Sequence, residues 1–171
     1  MHAKVNLNLP SSLWTARDSA RLGLNTVAAI KLRTSKGIDA DGQPFKPYST
    51  SPIYIPRSGA VLTPKGGRVS RTGQSVYYQG GYREYKVQSR RHSASSSALV
   101  DLVLSGAMLN NLVLMEATDA RFIIGLTNRV RSYGYDVHAD RPFIGLSPRD
   151  VNVLVSAVQA ELTAKIKRGR R

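Results

Sequence analysis

The run Arg141-Pro142-Phe143-Ile144-Gly145-Leu146-Ser147-Pro148-Arg149-Asp150 constrains this chain more than any other stretch, because it sets both a stiff connector and the start of a helix. Pro142 and Pro148 fix two φ angles and bring no amide donor. Ser147 suits the N-cap, and Pro148 suits the first helical position. Asp150, three residues past the cap, sets a carboxylate against the exposed amides of the first turn. Beyond it Val151, Leu154, Val155, Val158, Leu162 and Ile166 recur at three- and four-residue spacing. That pattern predicts a helix from residue 148 to about 167 with one apolar stripe. The run holds no catalytic group; it is scaffold chemistry.

With 171 residues the chain can bury one core, so residues 1–171 read as a single domain. Leu13, Ala16, Ala20, Leu24, Val27 and Ile30 predict a long helix over residues 12–36 that Gly37 ends. Its small apolar face suits core or subunit packing better than a membrane surface. Asp41-Gly42 and the prolines at 44 and 47 force a turn with an extended exit, which places Phe45 and Tyr48 at the core edge. The run Asp39-Ala40-Asp41-Gly42 looks like the opening of a calcium loop. Tyr48, however, stands where the closing acid would be needed.

Residues 49–97 change character. Prolines and glycines punctuate a basic, tyrosine-bearing stretch, which reads as an extended arm ordered by lying on a neighbour. Within it residues 74–79 and 82–88 are spaced to pair as a hairpin across Gly80-Gly81. Residues 98–112 read as a helix bent near Ser105-Gly106, 112–115 and 121–126 as strands, and 129–138 as a short helix. The expected class is α+β: long N- and C-terminal helices packed on a small antiparallel sheet, with the arm or hairpin inserted.

Lys and Arg number 25 against 11 acidic residues, a net charge of +14, which points to a polyanionic or acidic partner. The candidate contacts are Arg68, Arg71, Arg83, Lys86, Arg90 and Arg91 in the arm, and Lys167, Arg168, Arg170 and Arg171 at the end. Tyr77, Tyr78, Tyr82 and Tyr85 interleave with the first group. They suit either base stacking or, the preferred reading, anchoring on an adjacent subunit. No helix-turn-helix, zinc finger or ribonucleoprotein signature appears, so any DNA contact is expected at the backbone alone.

Without cysteine there are no disulfides or thiolate metal sites. His2, His92 and His138 have no partner at metal-ligand spacing. Lys65-Gly66-Gly67-Arg68 lacks the following helix that makes a phosphate loop selective. Neither an enzyme nor a cofactor is expected. The N-terminal residues lack a secretory core and no apolar run is long enough to span a bilayer, so no membrane partner is expected.

Four blocks in order, namely the first helix with Gly37, then Asp41-Gly42-Gln43-Pro44-Phe45-Lys46-Pro47-Tyr48, then Leu104-Ser105-Gly106-Ala107-Met108, then 141–150, carry a family resemblance. The chain resembles the tail-completion, or virion-morphogenesis, proteins of tailed bacteriophages. The resemblance implies a non-enzymatic head-tail connector in the virion neck, made in the host cytoplasm and assembled as a homo-oligomeric ring. A hexamer is the first choice and a dodecamer the second. Its implied neighbours are a portal-side adaptor and a tail-terminator or tail-tube ring, around packaged DNA. It also makes Gly37, Asp41, Gly42, Pro44, Phe45, Gly106, Arg141, Pro142, Phe143, Gly145 and Asp150 framework positions. The competing reading is a monomeric protein that binds nucleic acid without sequence preference.

Overall fold

The computed structural model describes residues 2–10, 13–58, 63–89 and 99–169. Among these the elements are β1 (His2–Asn6), α1 (Ala16–Ser35), β2 (Ile53–Pro56), β3 (Arg68–Val69), β4 (Ser75–Tyr78), α2 (Gly81–Ser89), α3 (Ala107–Asn110), β5 (Leu112–Ala117), β6 (Arg121–Leu126), α4 (Arg131–Asp140) and α5 (Pro148–Gly169). A 3-10 turn at Asn128–Val130 leads into α4. The class is α+β, with two three-stranded antiparallel sheets ordered β1-β6-β5 and β2-β4-β3.

The central strand β6 buries Phe122, Ile124 and Leu126 against α1. It pairs with β5 across a turn in which the Thr118 hydroxyl accepts from the amides of Ala120 and Arg121 at 3.3 and 3.2 Å. Its other edge takes β1, with Val5 opposite Phe122. No strand is expected at the N-terminus from the reading above. The alternation of Val5, Leu7 and Leu9 with Lys4, Asn6 and Asn8 is nonetheless a period-two signal.

Helix α1 begins at Ala16, later than residue 12, because Thr15 and Asp18 close a capping box. It ends as expected at Gly37, with φ of +79° and its amide donating to Thr34 O at 3.0 Å. The buried face is the expected one only in part: Val27 and Ile30 are buried as the periodicity suggests, but Ala16 is exposed and Leu24 is 58 % exposed, while Ser19, Leu22, Gly23 and Thr26 face inward as well. Close approach to the sheet decides this. A Cβ on Gly23 would lie 2.6 Å from Leu114 Cδ1, and the Thr26 hydroxyl is satisfied within the helix by Leu22 O at 2.8 Å. Small residues therefore hold the contact.

Helix α5 runs antiparallel to α1 and has no fully buried residue. Leu154, Val158 and Leu162 lie half-buried against the core. Arg33–Asp150, Arg21–Glu161 and Lys165–Asp18 tie the two helices together along their length. Val151, Val155 and Ile166, on the outer flank of the expected stripe, stay 42–48 % exposed.

Residues 49–97 are not an extended arm over their described part. Strands β2, β4 and β3 form a sheet that α2 covers, around a small core of Val76, Tyr78 and Tyr85. The hairpin expected across Gly80-Gly81 is replaced by a strand followed by a helix, because Glu84 folds back to accept the Gly80 amide at 2.7 Å and so caps α2. Residues 90–98 lie outside the described residues. The expected helix over 98–112 shortens to α3, since the Asp101 carboxylate takes the Val103 amide at 3.0 Å and the Lys86 ammonium at 2.8 Å, which competes with a helical path.

Gly81 has φ of +67°, and a Cβ there would meet Ser51 O at 2.4 Å and Ser49 O at 2.7 Å. Gly81→Ala is expected to destabilise the insertion by about 2 kcal/mol or more, left-handed strain and backbone overlap adding together. Hydrogen exchange checks this: protection should fall first across β2, β4 and α2 while β6 keeps its own.

Candidate functional site

The two blocks at 37–48 and 141–150 interlock. After α1 the chain turns at Asp39, whose Oδ1 accepts from the amides of Asp41 at 2.9 Å and Gln43 at 2.8 Å. That carboxylate is committed to the turn itself. Phe45 folds back to donate to Gly37 O at 2.9 Å and enters the core. The 141–150 strap lies across this turn: Ala40 N donates to Pro142 O at 2.9 Å, and Arg141 donates to Lys46 O at 3.1 Å and Pro47 O at 3.0 Å while pairing with Asp140. Gly145 packs where a Cβ would stand 3.1 Å from Ala40 Cβ.

Arg33, 8 % exposed, closes this clasp from α1. Its guanidinium donates to Phe143 O at 2.8 Å and Gly145 O at 3.2 Å and pairs with Asp150. Asp150 also accepts the Ser147 amide at 2.9 Å, and Ser147 Oγ accepts the Asp150 amide at 3.2 Å, so the predicted cap forms. His138 adds a third anchor. Its Nδ1 accepts from the amides of Phe143 at 3.1 Å and Ile144 at 3.2 Å, and burial holds its pKa below the ordinary 6.5. It is therefore a neutral internal acceptor. Of the framework positions, Gly106 alone stands apart from the clasp, at a groove of about 480 Å³ lined by Tyr48, Tyr82, Leu104, Met108 and Tyr133. Lys86 and Asp140 at that groove are already ion-paired, with Asp101 and with Arg141 respectively.

The tyrosines and cations of the insertion divide sharply. Tyr78 and Tyr85 are 0 % and 4 % exposed and Lys86 is 2 % exposed, so none of the three can anchor on a neighbour or touch DNA. The reason is packing. Tyr78 donates to Lys65 O at 2.7 Å, and Lys86 bonds to Asp101 and Tyr48. Tyr82 is half-buried beside Tyr48. Tyr77 remains on the outer face of the β2-β4-β3 sheet, where strand register sets it opposite both Tyr54 and Arg68. Its ring centroid is 5.0 Å from that of Tyr54. Arg68, Arg71, Arg83, Lys167 and Arg168 are exposed; Arg90, Arg91, Arg170 and Arg171 lie outside the described residues.

Sequence reasoning missed Tyr54, Arg33, Asp18 and Asp101. Tyr54 has a signal, being the outward residue of the alternating Ile53-Tyr54-Ile55 run. Asp18 has one too, standing three residues after Thr15 at capping-box spacing; Arg33 and Asp101 have none, since what distinguishes each is a partner distant in the chain.

Asp150→Ala is expected to cost about 3–5 kcal/mol in urea unfolding, because it strands a buried guanidinium and removes the α5 cap together. Ser147→Ala, which loses the cap alone, should cost about 1 kcal/mol. His138 sets a pH dependence: the unfolded chain binds its proton near 6.5 while the folded chain resists it, so stability is held above that pH and falls below it. Thermal melts of wild type and His138→Gln should diverge in slope below 6.5, the variant being the flatter.

Comparison with models of protein families, with curated proteins and with solved structures finds no match.

Proposed function

We propose that this chain is a structural subunit of a tailed-phage neck, a head-tail connector or tail-completion ring that joins the portal side of the capsid to the tail around the DNA channel. The observation that carries this reading is the clasp: the distant blocks on which the family resemblance rests, 37–48 and 141–150, are spent on each other through Arg33, Arg141 and the Ala40–Pro142 bond. Residues used this way serve as framework.

Two leftovers support assembly. Apolar side chains stay exposed along α5, at Val151, Val155 and Ile166, and on α1, at Leu24 and Leu32. Repeated copies that bury such surfaces on one another must close into a ring or run on as filaments. A hexamer is the first choice of closure and a dodecamer the second. The folded insertion, rather than an extended arm, reaches the neighbouring copy, with a portal-side adaptor on one side and a tail-terminator or tail-tube ring on the other. Exposed arginines and lysines face the channel or an acidic neighbour, with the virion neck as the final location and the host cytoplasm as the place of assembly.

The competing reading, a monomer that coats nucleic acid, is separated by one experiment. A phage carrying this chain's gene with an early stop should yield filled heads and free tails, and averaged images of wild-type necks labelled on this subunit should show a closed ring. Infectious particles formed without the chain would sink the proposal. Binding of the purified chain to duplex DNA should weaken steeply as salt rises, by a slope that counts the phosphates neutralised.

A further inference from the structure

We propose that the outer face of the β2-β4-β3 sheet is a stacking platform for single-stranded nucleic acid, with Tyr54 and Tyr77 taking unpaired bases and Arg68 the adjoining phosphate. This goes beyond the neck reading and holds for the subunit in or out of a ring. Residues paired directly across antiparallel strands point to one face, so Tyr54, Tyr77 and Arg68 form a single row across all three strands. Tyr54 is 64 % exposed, and its ring is tilted 47° to that of Tyr77 at 5.0 Å. An exposed amphipathic ring beside a half-buried one, set on stiff strands, is well suited to receive planar groups.

Charge selects the partner. Among the described residues Arg68 and Arg71 are exposed and pair with no carboxylate. The one acid of residues 49–89 is Glu84, and its carboxylate is taken by the Gly80 amide and by Gln88 Nε2 at 3.0 Å. An unopposed basic row with stacked-ring spacing suits a polyanion that carries planar groups. It does not suit the uncharged proline-rich peptides that other aromatic faces accept. Duplex DNA keeps its base faces closed on one another, so only unpaired nucleotides can use the rings.

The test uses the full chain and fluorescence anisotropy with a labelled oligothymidylate, a hairpin duplex, inorganic polyphosphate and a proline-rich peptide. Tyr54→Ala/Tyr77→Ala should weaken oligothymidylate binding about tenfold or more, and leave polyphosphate and duplex affinities within about twofold because the charge is unchanged. Tyr54→Phe/Tyr77→Phe should bind as wild type, and Arg68→Ala should weaken oligothymidylate and polyphosphate alike. If the double alanine variant melts early, Tyr54→Ala alone gives the same pattern at smaller amplitude. Oligothymidylate affinity that ignores the tyrosines, that falls in step with polyphosphate, or that is exceeded by the proline-rich peptide would overturn the assignment.

Discussion

The Arg33 guanidinium, buried on the last turns of α1, is the interaction on which the 141–150 strap and the last helix hang. A charge taken out of water is tolerable only when most of its donors are met, and here two strap carbonyls and the Asp150 carboxylate meet the two terminal nitrogens, while the buried Nε has no partner. The same carboxylate starts α5 by accepting the Ser147 amide. One ion pair thus sets the exit of α1, the path of the 141–150 strap and the first turn of the last helix. Because α5 buries no residue completely, apolar area alone holds it weakly. The Arg33 end fixes its direction, and the Lys165–Asp18 pair, in which the Lys165 ammonium also donates to Leu13 O at 3.0 Å, fixes the other end. Desolvation raises the Asp18 pKa, but hydrogen bonds from Lys165 and Thr15 outweigh it and bring it to about 2, so this second tie holds at any pH near neutrality.

A second buried charge does for the insertion what Arg33 does for the strap. Lys86, on a helix with few apolar residues of its own, bonds to Asp101 and to the Tyr48 hydroxyl, and Tyr48 also accepts the Leu102 amide at 3.2 Å. Tyr48 ends the 37–48 block, and Arg141 lies over its ring at 5.2 Å. Clasp and insertion therefore meet at one tyrosine. A basic stretch that looks too polar to fold alone gains its order from that junction and from three small-core residues.

What remains on the outside follows from this allocation. The strap and the 37–48 turn are bonded to each other, the groove beside them holds already paired charges, and the surface keeps cations, the exposed Tyr54 ring beside a half-buried Tyr77, and apolar flanks of α1 and α5.

Local chemistry was legible in the residues: the Ser147–Asp150 cap, the Gly37 stop, the strands around Thr118 and the helical run of α5 all rest on interactions within a few positions, and each formed. The N-terminal strand is legible too, in the alternation of Val5, Leu7 and Leu9 with polar residues. Which face α1 buries was legible only in part, because Gly23 is required by the nearness of Leu114 and Phe122, which periodicity cannot see. The folding of the insertion was not legible, since Glu84 capping Gly80, Lys86 reaching Asp101 and Tyr54 falling beside Tyr77 each depend on chain segments meeting in space. The sequence by itself determined where helices start and stop and how much positive charge the surface must carry. Tertiary structure alone decided which charges are buried as ties and which rings stay open, because desolvation and pairing are properties of neighbours rather than of residues.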